Sequence, residues 1–463
     1  MIRPPFAQDL HRPRFHYLPP SNWMNDPNGI IQWKGTYHLF YQYNPFGALW
    51  GNMHWGHATS PDLIHWTDAP IALAPTSGSD DEKGVFSGCA VDNNGIPTIL
   101  YTAVRGEQYE TQVQAIATSS DDLMVWDKSD RNPVISRVPA EAHQTRDFRD
   151  PFVWKEDDTW YMLVASRIQE VGGTVFLYRS ADLLAWEYLH PLLTGDKTLN
   201  GDFWECPNFF PIGDQSVLIV SAHTAPAINS VIYFVGDYRG GQFTPHTTGI
   251  LEHGCLYAPL TMLDDQERRL MIGWIRETRT EAELVRAGWA GVQSIPRTLA
   301  LDDQYRLIMQ PVIELETLRT AHHHLGDMPL NGSTSLDTSG LWLDIKAAFR
   351  VDAEGECGLT FAFSEDERIT IGWDAVRQTL YAESVSVNTK LERREVPHGL
   401  YPTESLAMRI LLDGSVVEVI ANQRTSLTMR VYPTETTRCQ LTVFGHHTRL
   451  HSLDAWEMSS IWE

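Results

Sequence analysis

Short apolar runs of strand length, punctuated by turn formers, recur along the first two thirds of the chain. The segments "SPDLIHW" (Ser60 to Trp66), "SDDLMVW" (Ser120 to Trp126) and "SADLLAW" (Ser180 to Trp186) share Ser-x-Asp-Leu-x-x-Trp, with Asp62, Asp122 and Asp182 spaced 60 residues apart. Each follows a β-like run ("HWGHATS", "VQAIATS", "TVFLYRS"), so one strand-and-turn unit is used repeatedly. A second series lies between those turns: "NDPNGII" from Asn25, "FSGCAV" from Phe86, "RDPFVW" from Arg149, "ECPNFF" from Glu205 and "YAPLTM" from Tyr257. Successive starts are 61, 63, 56 and 52 residues apart, and each opens with a small or Pro-containing turn leading into an apolar strand. A period of this length holds about four strands, which is one propeller blade, and five blades close a ring around a channel. The innermost strands then start at one mouth of that channel. The alternative is one or two β-sandwiches whose turns share their chemistry.

The pattern changes after "SIPRTLALDDQYRLIMQPVIELETLR". Pro311 followed by apolar and acidic residues to Arg319 predicts a linker with a short helix over 311–324. Strong alternation follows ("LWLDIKAAFRV", "SLAMRILLDGSVVEVIANQ", "TSLTMRVYP"), with Asp413-Gly414 as a hairpin signal. The expected fold is all-β: a five-bladed β-propeller over 1–310, the linker, and an antiparallel β-sandwich over 325–463.

The formal net charge of −23 excludes a polyanion partner, so nucleic acid and anionic membrane surfaces are not expected ligands. The N-terminal stretch "MIRPPFAQDLHRPRFHYLPP" has no apolar core of a secretory signal, and no run of about 18 apolar residues occurs. A soluble cytoplasmic protein is expected, monomeric or homodimeric, with the sandwich buttressing the propeller or forming a dimer contact. Five scattered cysteines (Cys89, Cys206, Cys255, Cys357, Cys439) suit a reducing compartment and suggest neither a disulfide framework nor a zinc site. His322-His323-His324 and His446-His447 read as solvated loops, so no metal is expected.

The polar residues opening the strands are Asn25 and Asp26, Ser87, Arg149 and Asp150, and Glu205. Three carboxylates crowded at one mouth are costly, and such crowding is retained mainly where displaced pKa values are used. Glycosyl transfer needs two facing carboxylates, one giving a proton to the leaving oxygen and one attacking the anomeric carbon. Arg149 beside Asp150 is expected to hold that aspartate ionised. Glu205, before Cys206 and Pro207 and near a negative Asp26, is then the acid, and Asp26 the nucleophile. A carboxyl separation of about 5 to 5.5 Å implies retention, about 6.5 to 9.5 Å inversion. Trp50, Trp55, Phe86, Trp204 and Trp274 flank these segments and suit a sugar pocket.

"WMNDPNG", "WGNMHWGHATSPDLIHW", "FSG", "FRDP", "WECPNFFP" and "GWAGVQSIPRTL", with the closing "DAWEMSSIW", resemble the ordered motifs of glycoside hydrolase family 32, the invertase, inulinase, levanase and sucrose-6-phosphate hydrolase family. The resemblance covers nearly the whole chain and implies the same propeller and sandwich. It implies Asp26 as nucleophile, Asp150 as transition-state stabiliser on fructose hydroxyls and Glu205 as acid/base. It implies further that Asn25, Gln42, Trp50, Phe86, Ser87, Arg149 and Trp274 line a fructosyl pocket. The family commonly carries Asp where this chain has Asn208, a departure that removes a charge three residues from Glu205.

The implied activity is that of a retaining β-fructofuranosidase acting on terminal β-D-fructofuranosyl units of sucrose and short fructooligosaccharides, without metal or cofactor. Sucrose 6-phosphate is an alternative substrate, with Arg105, His143 and Arg146 as phosphate candidates. Fructosyl transfer and inulin or levan hydrolysis are others on the same site. A sialidase-like propeller would need an arginine cluster and a Tyr nucleophile, whereas only Arg149 stands in the strand-opening set. A non-catalytic sugar-binding propeller would not need all three acids.

Overall fold

The computed structural model describes residues 9–462 apart from 121, 143–144, 225–226, 337, 339, 387–391 and 435–438. The described chain divides into two compact units, residues 18–252 with 256–312, and residues 9–17 with 253–255 and 313–462. Residues 9–17, read from sequence as part of the propeller, therefore group with the second unit.

The first unit is a five-bladed propeller of antiparallel sheets. Its innermost strands are Asn22–Trp33, Gly84–Asp92, Phe148–Glu156, Phe203–Ile212 and Leu256–Leu263, one for each of blades I to V. The ring closes where Trp289–Ala290 pairs in parallel with Asn22 and Trp23. The Ser-x-Asp-Leu-x-x-Trp turns join the third and fourth strands of blades I to III. In blades I and III the Asp Oδ1 accepts two backbone N–H groups, Asp62 from Ile64 and His65, and Asp182 from Leu184 and Ala185. Leu63, Leu123 and Leu183 all adopt left-handed φ (69°, 57°, 64°) with their side chains buried. That costs backbone energy, offset by apolar burial and by the Asx-type bonds. Phe40, Trp55, Val85, Tyr101 and Trp126 form one of the apolar layers between blades I and II.

The inner strands share one irregularity. Residues 25 and 26 oppose Gln42 alone, residues 150 and 151 oppose Val164, residues 206 and 207 oppose Val220, and residues 258 and 259 oppose Gly273. Each is a β-bulge, two residues against one, and Ser87 is the extra residue of a similar shift in blade II. Proline fits within a bulge because a bulge releases one N–H from the ladder: Pro151, Pro207 and Pro259 lie within those of blades III to V, whereas Pro27 stands just after that of blade I, opposite Tyr41. The sequence reading put these residues in turns ahead of the strands. They lie inside the strands, at one level of the channel.

The second unit is a ten-stranded antiparallel assembly built on two long strands, Trp342–Ala362 and Gln440–Met458. The first half of Trp342–Ala362 pairs with Leu406–Asp413 and the second half with Arg368–Asp374, so this strand serves both layers of the sandwich. Leu343, Ile345, Phe349, Leu359 and Phe361 point into its core. Asp413 and Val416 pair across the tip at Gly414, whose φ of 57° suits glycine. The linker is shorter than expected: a 3₁₀ turn spans Ile313–Leu318, and Arg319–Leu325 is already a sandwich strand. The three histidines therefore sit in a strand, not a loop, and His446 and His447 lie within Gln440–Met458. Non-local pairing decided this, since the partner of Arg319–Leu325 is that same C-terminal strand.

All five cysteines are free. Among the described residues no helix is long and apolar enough to cross a membrane.

Candidate active site

The bulges explain how side chains reach the channel. A regular strand alternates faces, so adjacent residues cannot both point inward; an extra residue locally re-aims them. Asn25, Asp26, Ser87, Arg149, Asp150, Glu205 and Tyr257 thereby line one cavity of about 490 Å³. Gln42, Trp50, Phe86 and Trp274 line it too, so all ten residues that the family resemblance implied as catalytic or pocket-lining border one space. Trp55 and Trp204 do not. Both are fully buried in the blades, their indole N–H groups bonded to the Phe86 and Asn200 carbonyls.

Asp26 is held from two sides. The Ser87 hydroxyl donates to its Oδ2 at 2.7 Å and the Asn25 amide to its Oδ1 at 3.1 Å. Asn25 is itself fixed by Trp23 Nε1 at 2.8 Å, and its carbonyl accepts from Gln293 at 2.7 Å. Gly291, beside Gln293, must be glycine, because a Cβ there would lie 1.9 Å from the Met24 carbonyl oxygen. Asp150 accepts the Cys206 N–H at 2.9 Å, and its own N–H donates to Thr102 Oγ1 at 2.9 Å. The Cys206 thiol lies 3.7 Å from Asp26 Oδ2 and 3.6 Å from Asp150 Oδ2, linking the two aspartates.

Glu205 accepts from Arg149 Nη2 at 2.8 Å and from the Tyr257 hydroxyl at 2.7 Å. Arg149 also donates to Asp147 at 3.1 Å and lies over the Phe203 ring, 4.2 Å from its centroid. This corrects one expectation. The guanidinium hydrogen-bonds to Glu205 rather than to its chain neighbour Asp150, because the bulge turns the two adjacent side chains apart.

Burial raises Asp150 to about 7; the Arg149 charge opposes this, and the Glu205 and Asp26 charges add to it. Burial likewise raises Asp26 to about 6, opposed by the Ser87 hydrogen bond and assisted by the Glu205 charge. Asp150 is thus not held ionised by Arg149. Burial and the neighbouring acids push the Cys206 thiol and the Tyr257 hydroxyl well up, so both remain proton donors to the carboxylates.

Several lining residues were missed from sequence: Tyr257, Gln112, Asp147, Tyr109 and Trp23. For Tyr257 the signal existed. It occupies in "YAP" the place of Asn25 in "NDP", Arg149 in "RDP" and Glu205 in "ECP". Of the phosphate candidates, Arg146 lines the cavity, Arg105 pairs with Asp80 at 3.3 Å outside it, and His143 lies outside the described residues. Asn208 is fully buried, donating to the Cys206 and Pro259 carbonyls at 3.0 and 2.9 Å and accepting the Thr261 N–H at 2.7 Å. It stitches blade IV to blade V with an amide donor that an ionised carboxylate lacks.

Carboxylates converging at one mouth of a five-bladed propeller offer the paired acids that glycoside hydrolysis uses. The chain belongs to glycoside hydrolase family 32: residues 16–311 match the model of the glycosyl hydrolases family 32 N-terminal domain and residues 314–457 that of the family's C-terminal domain. It is 35% identical to a sucrose-6-phosphate hydrolase of Zymomonas mobilis, over 91% of this chain and 87% of that protein. The fold superposes on fructan 1-exohydrolase IIa of Cichorium intybus with a TM-score of 0.85, at 28% identity over 97% of this chain and 98% of that one. It superposes on a Bombyx mori β-fructofuranosidase variant in complex with sucrose with a TM-score of 0.83, at 29% identity over 98% and 95% of the two chains.

Proposed function

We propose that this protein is a retaining β-fructofuranosidase releasing fructose from sucrose and short fructooligosaccharides. The observation that carries the reading is the pairing of Asp26, held by Ser87 and Asn25, with Glu205, held by Arg149 and Tyr257, in one cavity. Asp26 attacks C2 of the fructosyl unit; as the C2–O bond breaks, Glu205 delivers its proton to the leaving oxygen. Water then attacks C2 of the ester, gives its proton to Glu205 and frees Asp26. Asp150, fixed by the Cys206 N–H, takes fructose hydroxyls, and its stabilisation grows as the ring flattens toward the oxocarbenium ion. The rings of Trp50, Phe86 and Tyr109 pack together with centroids 5.2 to 5.9 Å apart and offer an apolar wall for the sugar.

Sucrose 6-phosphate is a second reading, favoured by Arg146 in the cavity lining and by the name of the Zymomonas mobilis relative. The test is incubation with sucrose, sucrose 6-phosphate, inulin and levan, following glucose and fructose separately. Fructose is expected from sucrose or its 6-phosphate, and fructose from none of the four would overturn the reading. Glu205→Ala is expected to regain part of its lost rate with azide; near wild-type activity of that variant would remove Glu205 as acid/base.

A further inference from the structure

The histidine run that the sequence assigned to solvent forms a converging ligand set in the second unit. His322 and His324 are two residues apart on Arg319–Leu325 and so share a face. On the neighbouring strand His324 pairs with Asp454 and His322 with Trp456. His322 Nε2 and His324 Nδ1 both meet Oδ1 of Asp454, at 2.9 and 2.8 Å, and ligand atoms of the three residues all lie within 4.8 Å of one another. The His322 ring stacks on Trp456, centroids 4.9 Å apart and planes within 7°, which fixes its orientation without blocking the nitrogen.

The nearby cations are directed elsewhere. Lys346 pairs with Asp454 across the next ladder, but its ammonium goes to Glu316 at 2.8 Å. Arg319 lies over the Trp456 ring and binds Asp344 at 2.7 Å. Both histidines are half-exposed, with side-chain exposures of 46% and 52%, so an ion has access from solvent and room for water as a further ligand.

We propose that His322, His324 and Asp454 form a binding site for a divalent cation of the zinc class, clipping the first strand of the sandwich to its last. Two imidazoles and one carboxylate select late first-row ions over magnesium or calcium, which prefer all-oxygen shells. With metal bonds of about 2.0 to 2.2 Å, tetrahedral ligand atoms sit about 3.3 to 3.6 Å apart, so atoms now as much as 4.8 Å apart close by up to about 1.5 Å, a movement that side-chain rotation of two half-exposed histidines supplies.

The test is calorimetric titration of the full, EDTA-treated chain with ZnCl2 and with MgCl2, alongside melting curves in each. One zinc per chain at micromolar affinity is expected, with a raised Tm and no magnesium binding. The double variant His322→Ala/His324→Ala is expected to lose at least about tenfold in affinity and the Tm response, while keeping wild-type sucrose hydrolysis as proof of folding. The control His446→Ala/His447→Ala, at the other adjacent histidine pair, retains both. No zinc binding by the wild type, equal binding by the His322/His324 double variant, or equal affinity for magnesium would each overturn the proposal.

Discussion

Ser87 and Asp26 stand on different blades, and the Ser87 hydroxyl donates to Oδ2 of Asp26 at 2.7 Å. This bond opposes the burial that lifts Asp26 to about 6. A nucleophile must be ionised, so kcat/KM is expected to rise with pH through about 6. Ser87→Ala removes a donor to the charged form, and a hydrogen bond to a charged group is worth roughly 1.5 kcal/mol, or about one pKa unit. The acid limb of the pH–rate profile is expected to move up by about 0.5 to 1 unit. An unmoved limb would show that another group controls it.

How much of this site could be read from the chain depends on what repeats. Blade period and strand level are repeated, so Asp26, Asp150 and Glu205 could be placed together from spacing alone. The Pro that follows Asp26, Asp150 and Cys206 marked a turn by the usual reading, but within a strand it marks a bulge, and only strand pairing tells the two apart. The target of Arg149 was illegible because it lies in the next blade and depends on which way each bulge residue turns. His322 and His324 were misread for a related reason: Asp454 follows them by 130 residues or more, and no local pattern announces that pairing.

Asp150 carries the cost of its own usefulness. Its folded-state pKa of about 7 exceeds the ordinary 3.8, so the folded chain holds the proton more tightly than the unfolded chain. Stability attributable to this group is therefore full at low pH and falls as pH rises from about 4 to about 7. Asp150→Asn keeps an acceptor for the Cys206 N–H while removing the buried charge. The variant is expected to be inactive yet more stable than wild type at pH 8, by on the order of 2 to 4 kcal/mol. At pH 4 the gain should vanish. Melting curves at the two pH values decide it; a destabilised variant at pH 8 would show that the aspartate's contacts outweigh its charge.

Trp50 is the exposed member of the aromatic wall, 47% accessible, and rests edge-on against Phe86 and Tyr109. It touches none of the acids through a hydrogen bond, so its removal is expected to weaken sugar binding more than chemistry. Trp50→Ala should raise KM about 5- to 30-fold, equivalent to about 1 to 2 kcal/mol of lost aromatic contact, with kcat changed less than threefold. A fall in kcat with KM intact would instead place the ring against the transition state.

His16 ties the N-terminal segment into the second unit. Its Nδ1 meets Asp413 at 2.8 Å and its Nε2 meets Glu418 at 3.0 Å, all three side chains being buried. Asp413 also accepts the N–H groups of Arg14, Phe15 and His16. Burial works against the imidazolium, but the hydrogen bonds and charges of the two carboxylates outweigh it and raise His16 to about 9. A raised pKa here means that the charged form stabilises the fold. The contribution is complete below about 6.5 and is lost as pH climbs through about 9. His16→Gln removes the cation and leaves two buried acids facing each other, a change that costs about 3 to 5 kcal/mol when a buried pair is broken. At pH 6 the variant is expected to melt well below wild type; by pH 10 the gap should narrow, because the wild type has lost its own charge. Equal gaps at both pH values would show that His16 acts by packing alone.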